Sequence, residues 1–480
     1  MIVPDWLARQ AAARPDHPAL EVDGARVSFR TLAARVENLA RRLCGRGARI
    51  ATLLPNGGEL VALVHAVPRA GATLVLLDPR LTPAEAARQA AGAQVDLVVG
   101  GDDAAAVARA VGAAHLAPEA LAACAPAPYT PAPALDLDAP HTIVFTSGTS
   151  GLAKPVVLTA ANHFWSAAGS MARLGVDGED RWLACLPLTH VGGLAVLVRS
   201  ALAGTTVVLH RRFDAAAVAR ALLEDRITMV SLVPTMLARV LDHLDGRPPA
   251  LRCVLVGGAG TPPALVAAAR ARGLRVALTY GLTEAASQVA TLTPDESLAE
   301  PGDVGAPLWP TEVRVSDEGE ILVRGPTVAP GCLAADGWLH TGDAGRLLPG
   351  GRLVVLGRRD DVIVTGGENV DPAEVEAALL RHPAIAEVAV AGVPDPEWGQ
   401  AVAAWVVPRG AAQPTLAELR AACRAWLAPY KLPRRLTLVA ALPRTASGKV
   451  RRAALVSGAD ARGDCAATAP GSSSTGTRAR

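Results

Sequence analysis

The sequence predicts an α/β protein, with a large N-terminal domain of helix-covered parallel-type sheets plus a small β-barrel module, and a smaller α+β C-terminal domain. Three observations lead to this prediction. The chain has 480 residues, short apolar runs alternate with amphipathic stretches, and the pattern changes to short strands and turns after Thr291. A chain of this length usually forms two or three domains, and alternating strands and helices are typical of parallel sheets.

The alternation begins near the N-terminus. Helical periodicity over 32–43 and 59–70 alternates with apolar runs at 50–54 and 72–77, which predict strands. Residues 117–140 are rich in Pro and Ala, so we expect a linker or an irregular surface segment there.

The same alternation is most regular between residues 142 and 279. Six apolar runs predict strands, and five periodic stretches between them predict helices. The strands are predicted at 142–146, 183–187, 205–209, 227–232, 252–256 and 275–279, and the helices at 162–173, 193–203, 214–224, 234–244 and 262–271.

The remaining chain divides into an antiparallel module, a compact unit and a tail. The antiparallel module is predicted from short strands at 312–315, 319–323 and 352–356. The compact unit is predicted from helices at 372–381 and 415–427 and from strands near 385–391 and 401–407. The end of the chain is rich in Gly, Ser, Ala and Thr, which predicts disorder. The predicted boundaries are 1–357 for the N-terminal domain, 358–361 for the segment that connects the domains (a hinge, if the resemblance described below holds), 362–456 for the C-terminal domain and 457–480 for the tail.

Composition excludes several classes of protein. Half of the residues are hydrophobic and 19% are charged, which excludes a disordered or fibrous chain. A net charge of +2 provides no basic surface for nucleic acid. Apolar runs are too short to span a membrane and no signal peptide is visible, so we expect a cytoplasmic protein. Seven scattered cysteines argue against a disulfide framework or a zinc cluster, and the oligomeric state, homo-oligomer included, stays open.

The first motif that could carry chemistry follows the strand at 142–146. Glycines and small hydroxyl residues let a backbone approach phosphate closely, and a lysine at the far end can neutralise outer phosphates. An ordinary turn is the alternative, because such residues are common in turns. The motif comprises Thr146, Ser147, Gly148, Thr149, Ser150, Gly151 and Lys154.

Two further motifs stand at predicted strand ends, where open parallel sheets bind ligands. In Tyr280–Glu284, a hydroxyl and a carboxylate could hold a phosphate and Mg²⁺, or Thr283 could simply cap a helix. In Val256–Gly260, backbone exposed by glycines could face a flat base, or the glycines could only turn the chain.

Lysine is rare in this chain, and one lysine ends the last of the remaining motifs. Only three of the 47 basic residues are lysines, namely Lys154, Lys431 and Lys449. Lys449 ends the turn-like stretch 443–449, and short polar motifs precede it at 341–343, 357–361 and 366–369. Each is weak alone, because turns consist of these residues anyway.

In this order and spacing, the motifs resemble those of the adenylate-forming superfamily of acyl-CoA synthetases, peptide-synthetase adenylation domains and luciferases. The resemblance covers roughly residues 5 to 455. It implies an N-terminal domain that binds a carboxylic acid and ATP, Mg²⁺ as cofactor, and CoA as the thiol substrate. The acid first attacks the α-phosphate of ATP, and the C-terminal domain then rotates so that CoA attacks the acyl-adenylate.

The resemblance also implies a role for each matching residue. Lys449 would bridge the acid and the α-phosphate, Thr283 would bind the α-phosphate, and Glu284 would bind Mg²⁺. Asp343 would hold the ribose hydroxyls, with Arg358 beside it. The further implied residues are the loop 146–151 with Lys154, Gly258, Ala259, Tyr280 and Gly281 for ATP, Asp360 as the hinge, and Gly366 and Gly367 for the CoA tunnel. Superfamily loops usually continue Lys-Gly, whereas Pro155 follows Lys154 here and should stiffen the loop.

Segments 162–163, 180–183, 186–194, 206–210 and 287–289 carry a closer resemblance, over 162–294, to the 2-succinylbenzoate–CoA ligases of menaquinone biosynthesis, which activate an aromatic keto-diacid. It gives His190 a gating or substrate role, against that of an ordinary strand-end histidine, and makes Ser287 and Gln288 pocket residues. Arg199 interrupts an apolar helix, and a buried arginine is costly unless an anion pairs with it. The second carboxylate of the substrate could pair with Arg199, which could otherwise reach solvent or a protein carboxylate.

Three alternatives remain. A CoA ligase for another aryl or fatty acid would keep the mechanism and change the substrate. An amino-acid adenylation enzyme would carry an Asp in the 186–190 region, and none occurs there. A non-catalytic relative would be expected to lack Lys449 or Glu284, and both are present.

Overall fold

The chain forms two compact units. This computed structural model describes residues 1–126, 134–147, 153–361, 363–365, 368–395, 398–424, 427, 429–445 and 448–460. The first unit comprises Met1–Asp360 with Ala446–Lys449, and the second comprises Asp361–Thr445 with Val450–Arg480.

Fourteen helices are found in the described ranges. In chain order they are α1 Trp6–Ala13, α2 Phe29–Leu43, α3 Gly58–Arg69, α4 Pro83–Gly92, α5 Asp102–Val111, α6 Pro118–Ala123, α7 Ala160–Leu174, α8 Val191–Ala203, α9 Ala215–Glu224, α10 Pro234–His243, α11 Pro263–Ala271, α12 Pro372–Leu379, α13 Leu416–Cys423 and α14 Arg452–Asp460.

The strands of the first unit form four sheets. They are β1 Ile2–Pro4, β2 Pro18–Val22, β3 Ala25–Ser28, β4 Arg49–Thr52, β5 Thr73–Leu76, β6 Leu97–Val99, β7 Ala114–Leu116, β8 Ala134–Asp136, β9 Pro140–Ser147, β10 Ala153–Thr159, β11 Arg181–Ala184, β12 Thr206–Leu209, β13 Met229–Leu232, β14 Cys253–Val256, β15 Val276–Leu282, β16 Ser287–Leu292, β17 Ala306–Pro307, β18 Glu312–Val315, β19 Glu320–Arg324, β20 Leu339–Leu347 and β21 Leu353–Arg358. The second unit has one sheet, formed by β22 Ile363–Thr365, β23 Glu368–Val370, β24 Ile385–Asp395, β25 Gly399–Pro408 and β26 Arg435–Leu438.

Two mainly parallel sheets dominate the first unit, which confirms the predicted fold class. The six-stranded sheet has the order β10-β9-β5-β4-β6-β7, and only the β9–β10 pair is antiparallel. The nine-stranded sheet has the order β17-β16-β15-β14-β13-β11-β12-β2-β3, with parallel pairing from β15 to β2. Strands β18 to β21 form the small module as a four-stranded antiparallel sheet.

Helices α3 and α8 lie at the centre of this unit. Nearly every residue of α8 from Val191 to Ala201 is buried, and the same holds for α3 from Gly58 to Val67. A helix that is apolar on all faces is stable only when it is packed on all sides. Because α8 is such a helix, the polar side chain of Arg199 is carried into the interior.

Three expectations require correction. The segment 117–140 contains helix α6 and strand β8, and β8 pairs with β1 at the N-terminus, so its described parts are not irregular; residues 127–133 lie outside the described ranges. Strand β20 was missed, and Thr341–Asp343 lies within it. The sequence predicts a disordered tail over 457–480, whereas α14 continues to Asp460; residues 461–480 lie outside the described ranges. Within the described residues, no helix combines the length and apolar character needed to cross a membrane.

Candidate active site

The candidate site lies in the first unit, at the carboxyl ends of the parallel strands. Strand β14 is followed by Gly257 and Gly258, and β15 ends at Leu282, immediately before Thr283 and Glu284. Because parallel strands direct their carboxyl ends to one edge of a sheet, these segments are neighbours there.

Tyr280, Asp343 and Arg358 form one hydrogen-bonded group. The Tyr280 hydroxyl donates to Asp343 Oδ2 over 2.6 Å, and Arg358 Nη1 donates to Asp343 Oδ1 over 3.1 Å and to the Thr341 carbonyl over 2.6 Å. Burial, followed by the charge of Asp343, raises the pKa of Tyr280, so the hydroxyl stays protonated and donates. The carboxylate of Asp343 is thereby held in one orientation, as an acceptor of ligand hydroxyls must be.

Glu320 supports this group from β19, and sequence reasoning missed it. Its Oε1 accepts from the Gly342 N–H over 2.9 Å, and its Oε2 accepts from Arg359 Nη1 over 2.9 Å. Burial alone would raise the pKa of Glu320, but these bonds and the nearby His340 lower it below its ordinary value. An ionised Glu320 therefore connects the Thr341–Asp343 strand with Arg359, next to the predicted hinge.

A tight turn presents Thr283 and Glu284. Residues Thr283–Ala285 form one 3₁₀ turn, after which Ala286 and Ser287 have positive φ angles of 52° and 109°. A Cβ on Gly281 would stand 1.7 Å from the Ser287 carbonyl oxygen, so only glycine fits at this position. The alternative interpretation, Thr283 as a helix cap, is wrong, because Thr283 is the first residue of this 3₁₀ turn and no side chain caps it.

Glu284 suits a magnesium ion. Its backbone carbonyl accepts from the Ala329 N–H over 2.8 Å, while its carboxylate forms no ion pair with any residue in the described ranges. No group of three or more His, Cys, Asp or Glu able to hold a metal exists in that part of the chain. Mg²⁺ typically binds one or two carboxylates together with substrate phosphates, so a single carboxylate at this edge fits the ion.

The loop after β14 brings backbone close to the same edge. Gly258 has a φ of 81°, and a Cβ on Gly257 would lie 2.8 Å from the Thr279 carbonyl oxygen. Gly258 and Ala259 are exposed. Their backbone is therefore free of side-chain cover on its solvent side.

The predicted phosphate loop joins two paired strands. Thr146 pairs with Lys154, and Ser147 pairs with Ala153, across the β9–β10 hairpin. Residues 148–152, including Gly148, Thr149, Ser150 and Gly151, lie outside the described ranges. Pro155 lies in β10 at the edge of its sheet, where a missing N–H is tolerated.

His190 contacts an ion pair that the sequence analysis missed. Arg80 Nε and Nη2 donate to the two oxygens of Asp78 over 2.9 Å and 2.5 Å, and Arg80 Nη2 lies 3.4 Å from His190 Nε2. Burial lowers the pKa of His190, with Asp78 opposing and Arg80 adding to the effect. Because an arginine only donates, the neutral ring accepts at Nε2. The only signal in the sequence was the position of Asp78 just after strand β5.

Asn56 holds the loop that leads to His190. Its Nδ2 donates to the Leu186 carbonyl over 3.0 Å and to the His210 carbonyl over 3.4 Å, while its Oδ1 accepts from the Leu188 N–H over 2.9 Å. Asn56 follows β4, so the six-stranded sheet contributes residues to the edge of the nine-stranded sheet.

Arg199 is buried without a carboxylate. Its side chain is 2% exposed, so it does not reach solvent, and none of the described acidic residues forms an ion pair with it. Its Nη2 donates to Ser287 Oγ over 3.2 Å, and its guanidinium lies 5.3 Å from the Trp182 ring centre. Burial lowers its pKa to about 10, so Arg199 remains charged at neutral pH.

No described hydrogen bond or ion pair joins the remaining predicted residues to the group of Tyr280, Asp343 and Arg358. Asp360 lies in the 3₁₀ turn Arg359–Asp361, and Gly366 and Gly367 lie outside the described ranges. Lys449 belongs to the first unit, where its charge helps to lower the pKa of His190. Gln288 is buried; its Nε2 donates to Thr291 Oγ1 over 2.8 Å, and its Oε1 has no hydrogen-bond partner among the described residues.

Comparison with protein families matches most of the chain. Residues 7–333 match the model described as AMP-binding enzyme, and residues 374–449 match the AMP-binding enzyme C-terminal domain. A 2-succinylbenzoate--CoA ligase of Bacillus cereus is 38% identical over 477 residues, covering 94% of this chain and 97% of that protein. The ligase of the same name from Bacillus licheniformis is 39% identical, covering 94% and 98%.

Solved structures are similar over the same length. The o-succinylbenzoate CoA synthetase (MenE) from Bacillus subtilis in complex with the acyl-adenylate intermediate OSB-AMP has a TM-score of 0.88 and 35% identity, covering 95% of this chain and 98% of that chain. The same synthetase in complex with ATP and magnesium ion has a TM-score of 0.87 and 34% identity, covering 94% and 99%.

Proposed function

Because this chain belongs to the AMP-binding enzyme family, we propose that it is an acid–CoA ligase that converts 2-succinylbenzoate, ATP and CoA into 2-succinylbenzoyl-CoA, AMP and diphosphate. The relatives that cover nearly the whole chain carry this activity in their names. The observation that carries the choice of acid is the buried charge of Arg199 beside Ser287, which suits a substrate with a second carboxylate.

In the first half-reaction, a carboxylate oxygen of the acid attacks the α-phosphorus of ATP and diphosphate leaves. Thr283 donates its hydroxyl to the α-phosphate, and Lys449 supplies positive charge where the acid and the phosphate meet. Asp343, oriented by Tyr280 and Arg358, accepts the ribose hydroxyls. The backbone at Gly258, Ala259 and Gly281 borders the base, and the hydroxyls and amides of 146–151 with Lys154 bind the outer phosphates.

Glu284 would hold Mg²⁺, which when bound neutralises phosphate charge. Its carboxylate has no described ion-pair partner, and this is the support for the assignment.

The second half-reaction forms the thioester. The CoA thiol releases its proton to solvent, the resulting thiolate attacks the acyl carbon of the adenylate, and AMP leaves. We assign the hinge to Asp360 and the thiol path to Gly366 and Gly367, as part of a mobile C-terminal domain bounded by 362–456. His190 borders the acyl site, where its neutral ring is held by Arg80 and can move without separating a charge.

Selectivity for a diacid comes from Ser287 and Arg199. Ser287 Oγ accepts from Arg199 Nη2, so the hydroxyl proton of Ser287 is left to donate to another acceptor. A carboxylate satisfies that donor and compensates the buried charge of Arg199, whereas a neutral ring or an alkyl chain does neither.

The test is ATP- and CoA-dependent diphosphate release with 2-succinylbenzoate against benzoates, cinnamates and fatty acids. We expect strong preference for 2-succinylbenzoate, and loss of that preference in Arg199→Met, which keeps most of the volume and removes the charge. Val198→Met is the matched control on the same helix and should keep the preference. Efficient turnover of another acid would retain the mechanism and favour the alternative, a ligase for another aryl or fatty acid.

The partners we propose are small molecules only, namely the acid, ATP and CoA, with no nucleic acid. We propose the cytoplasm as the location, where ATP and CoA are available. Sedimentation of the full chain will determine whether it forms a homo-oligomer.

A further inference from the structure

A small cavity reaches Arg199 from the opposite edge of the nine-stranded sheet. It has a volume of about 20 Å³ and is lined by residues that include Ser170, Trp182, Arg199, Thr205 and Met229. Trp182, Thr205 and Met229 stand at or next to the amino ends of β11, β12 and β13, which are parallel. The cavity is therefore separate from the carboxyl-end site that contains Tyr280.

Two of the lining residues carry buried polar atoms without a partner. Arg199 Nε and Ser170 Oγ have no hydrogen-bond partner among the described residues, and their side chains are 2% and 1% exposed. Both atoms can donate, and buried donors without acceptors are rare in folded proteins. Their occurrence in the lining of one cavity indicates a ligand that accepts hydrogen bonds.

The local charge indicates that this ligand is an anion. The Trp182 ring face offsets part of the Arg199 charge, but in the part of the chain that is described no carboxylate pairs with it. Asp180 also lines the cavity, but both of its oxygens are engaged, by Arg252 at 2.8 Å and 2.5 Å and by Thr228 at 2.8 Å. In the substrate-free chain, a water molecule would satisfy the donors but would leave the buried positive charge uncompensated.

We propose that this cavity binds one monatomic anion of the halide class, held by Arg199 Nε and Ser170 Oγ. A cavity volume of about 10–15 Å³ is enough for one water molecule, so this cavity of about 20 Å³ admits a single atom-sized ion and not a carboxylate attached to a ring. The substrate carboxylate approaches the other side of the guanidinium, through Ser287. The anion site thus needs neither acid nor ATP and goes beyond the proposed ligase activity.

The first experiment measures thermal unfolding of the substrate-free full chain in sodium bromide and in sodium gluconate, at one ionic strength. A ligand that binds only the folded state raises the melting temperature as its concentration rises. We expect a saturable rise of about 1–2 °C in bromide. Crystals grown in bromide should show an anomalous peak within about 3.5 Å of Arg199 Nε and Ser170 Oγ.

Two variants separate the site from general salt effects. Ser170→Val fills the cavity and removes its hydroxyl, so the bromide-dependent rise should vanish even where the variant is as stable as the parent in gluconate. Ser200→Ala is the matched control, because Ser200 Oγ is also buried without a partner but does not line this cavity, and it should retain the rise.

Equal melting temperatures in bromide and gluconate, or anomalous peaks only at the surface as adventitious ions, would overturn the proposal. An unchanged bromide effect in Ser170→Val would do the same. The outcome is independent of the ligase assignment, because diphosphate release with 2-succinylbenzoate is measured separately. Failure of one experiment therefore leaves the other conclusion standing.

Discussion

Lowering the pH from about 7.5 to about 5 should reduce the free energy of unfolding of the first unit by about 6 kcal/mol, because three histidines are buried there in the neutral form. His65, His141 and His163 are almost completely inaccessible. His163 Nε2 contacts Thr142 Oγ1 at 2.7 Å, and its ring packs edge-on against His141 with centroids 5.0 Å apart.

The magnitude follows from their pKa values. Burial lowers the pKa of His65 and of His163 from 6.5 to about 4, and burial and the neighbouring histidines lower that of His141 well below its ordinary value. At about pH 5 the unfolded chain binds a proton at each histidine and the folded chain does not, which costs about 2 kcal/mol per residue. The stabilisation is complete above pH 6.5 and is lost as the pH falls.

The assay is urea unfolding followed by tryptophan fluorescence across this pH range. His163→Phe should reduce the slope of stability against pH by about one third, whatever its stability at neutral pH. His243→Gln is the control, because His243 is exposed on α10. A constant urea midpoint from neutral pH to about pH 5, or the same slope in His163→Phe and the parent, would refute the argument.

Three further predictions concern the site. Gly281→Ala should cost several kcal/mol and abolish activity, because the new Cβ would overlap the Ser287 carbonyl oxygen, and thermal unfolding with diphosphate release measures both effects. Asp78→Asn should release Arg80 and lower kcat/KM by about tenfold with only a small change in melting temperature. A large fall in melting temperature together with the loss of kcat/KM would instead indicate a structural role for Asp78. Lys449→Ala should reduce adenylate formation by several orders of magnitude while sparing thioester formation from supplied adenylate, and equal loss of both halves would contradict the domain rotation.

Matched controls are available for each of these variants. Gly331→Ala meets no atom within 4 Å and should be neutral. Asp16→Asn breaks an exposed Asp16–Arg30 pair and should leave kcat/KM unchanged. Lys431→Ala removes a lysine that pairs with Glu374 in the second unit and should spare adenylate formation.

Local patterns predicted the strands and helices between residues 142 and 279, except strand β10 at Ala153–Thr159, because each depends on periodicity over a few residues. Helix α8 was predicted at 193–203 and is observed at Val191–Ala203. Strand β20 was missed because its centre, Thr341–Asp343, consists of residues that local rules assign to turns. Strand β8 was missed because it is stabilised by pairing with β1 at the N-terminus, and a local pattern does not reveal a partner so distant in sequence.

The candidate site likewise contains residues that the sequence predicted and residues that it did not. Motif resemblance identified Tyr280, Asp343 and Arg358, and the structure brings these three together. Resemblance did not identify Glu320 or Asp78. Glu320 reaches Gly342 and Arg359 through the pairing of strands, and Asp78 acts through its neighbour Arg80, which contacts His190 from 110 residues away. Apart from the position of Asp78 after strand β5, the sequence contains no local signal for these supporting residues.

The bonds of Asn56 have a consequence for engineering this protein. The residues that we propose to bind the acid, from His190 to Ser287, lie on one continuous stretch of sequence, which makes that stretch an obvious unit to transfer into a relative with another substrate. Asn56 would remain behind, yet it holds the Leu186–Leu188 loop and the His210 carbonyl through three hydrogen bonds. A chimera should therefore inherit the new specificity only when the loop after β4 is exchanged together with the acid-binding stretch.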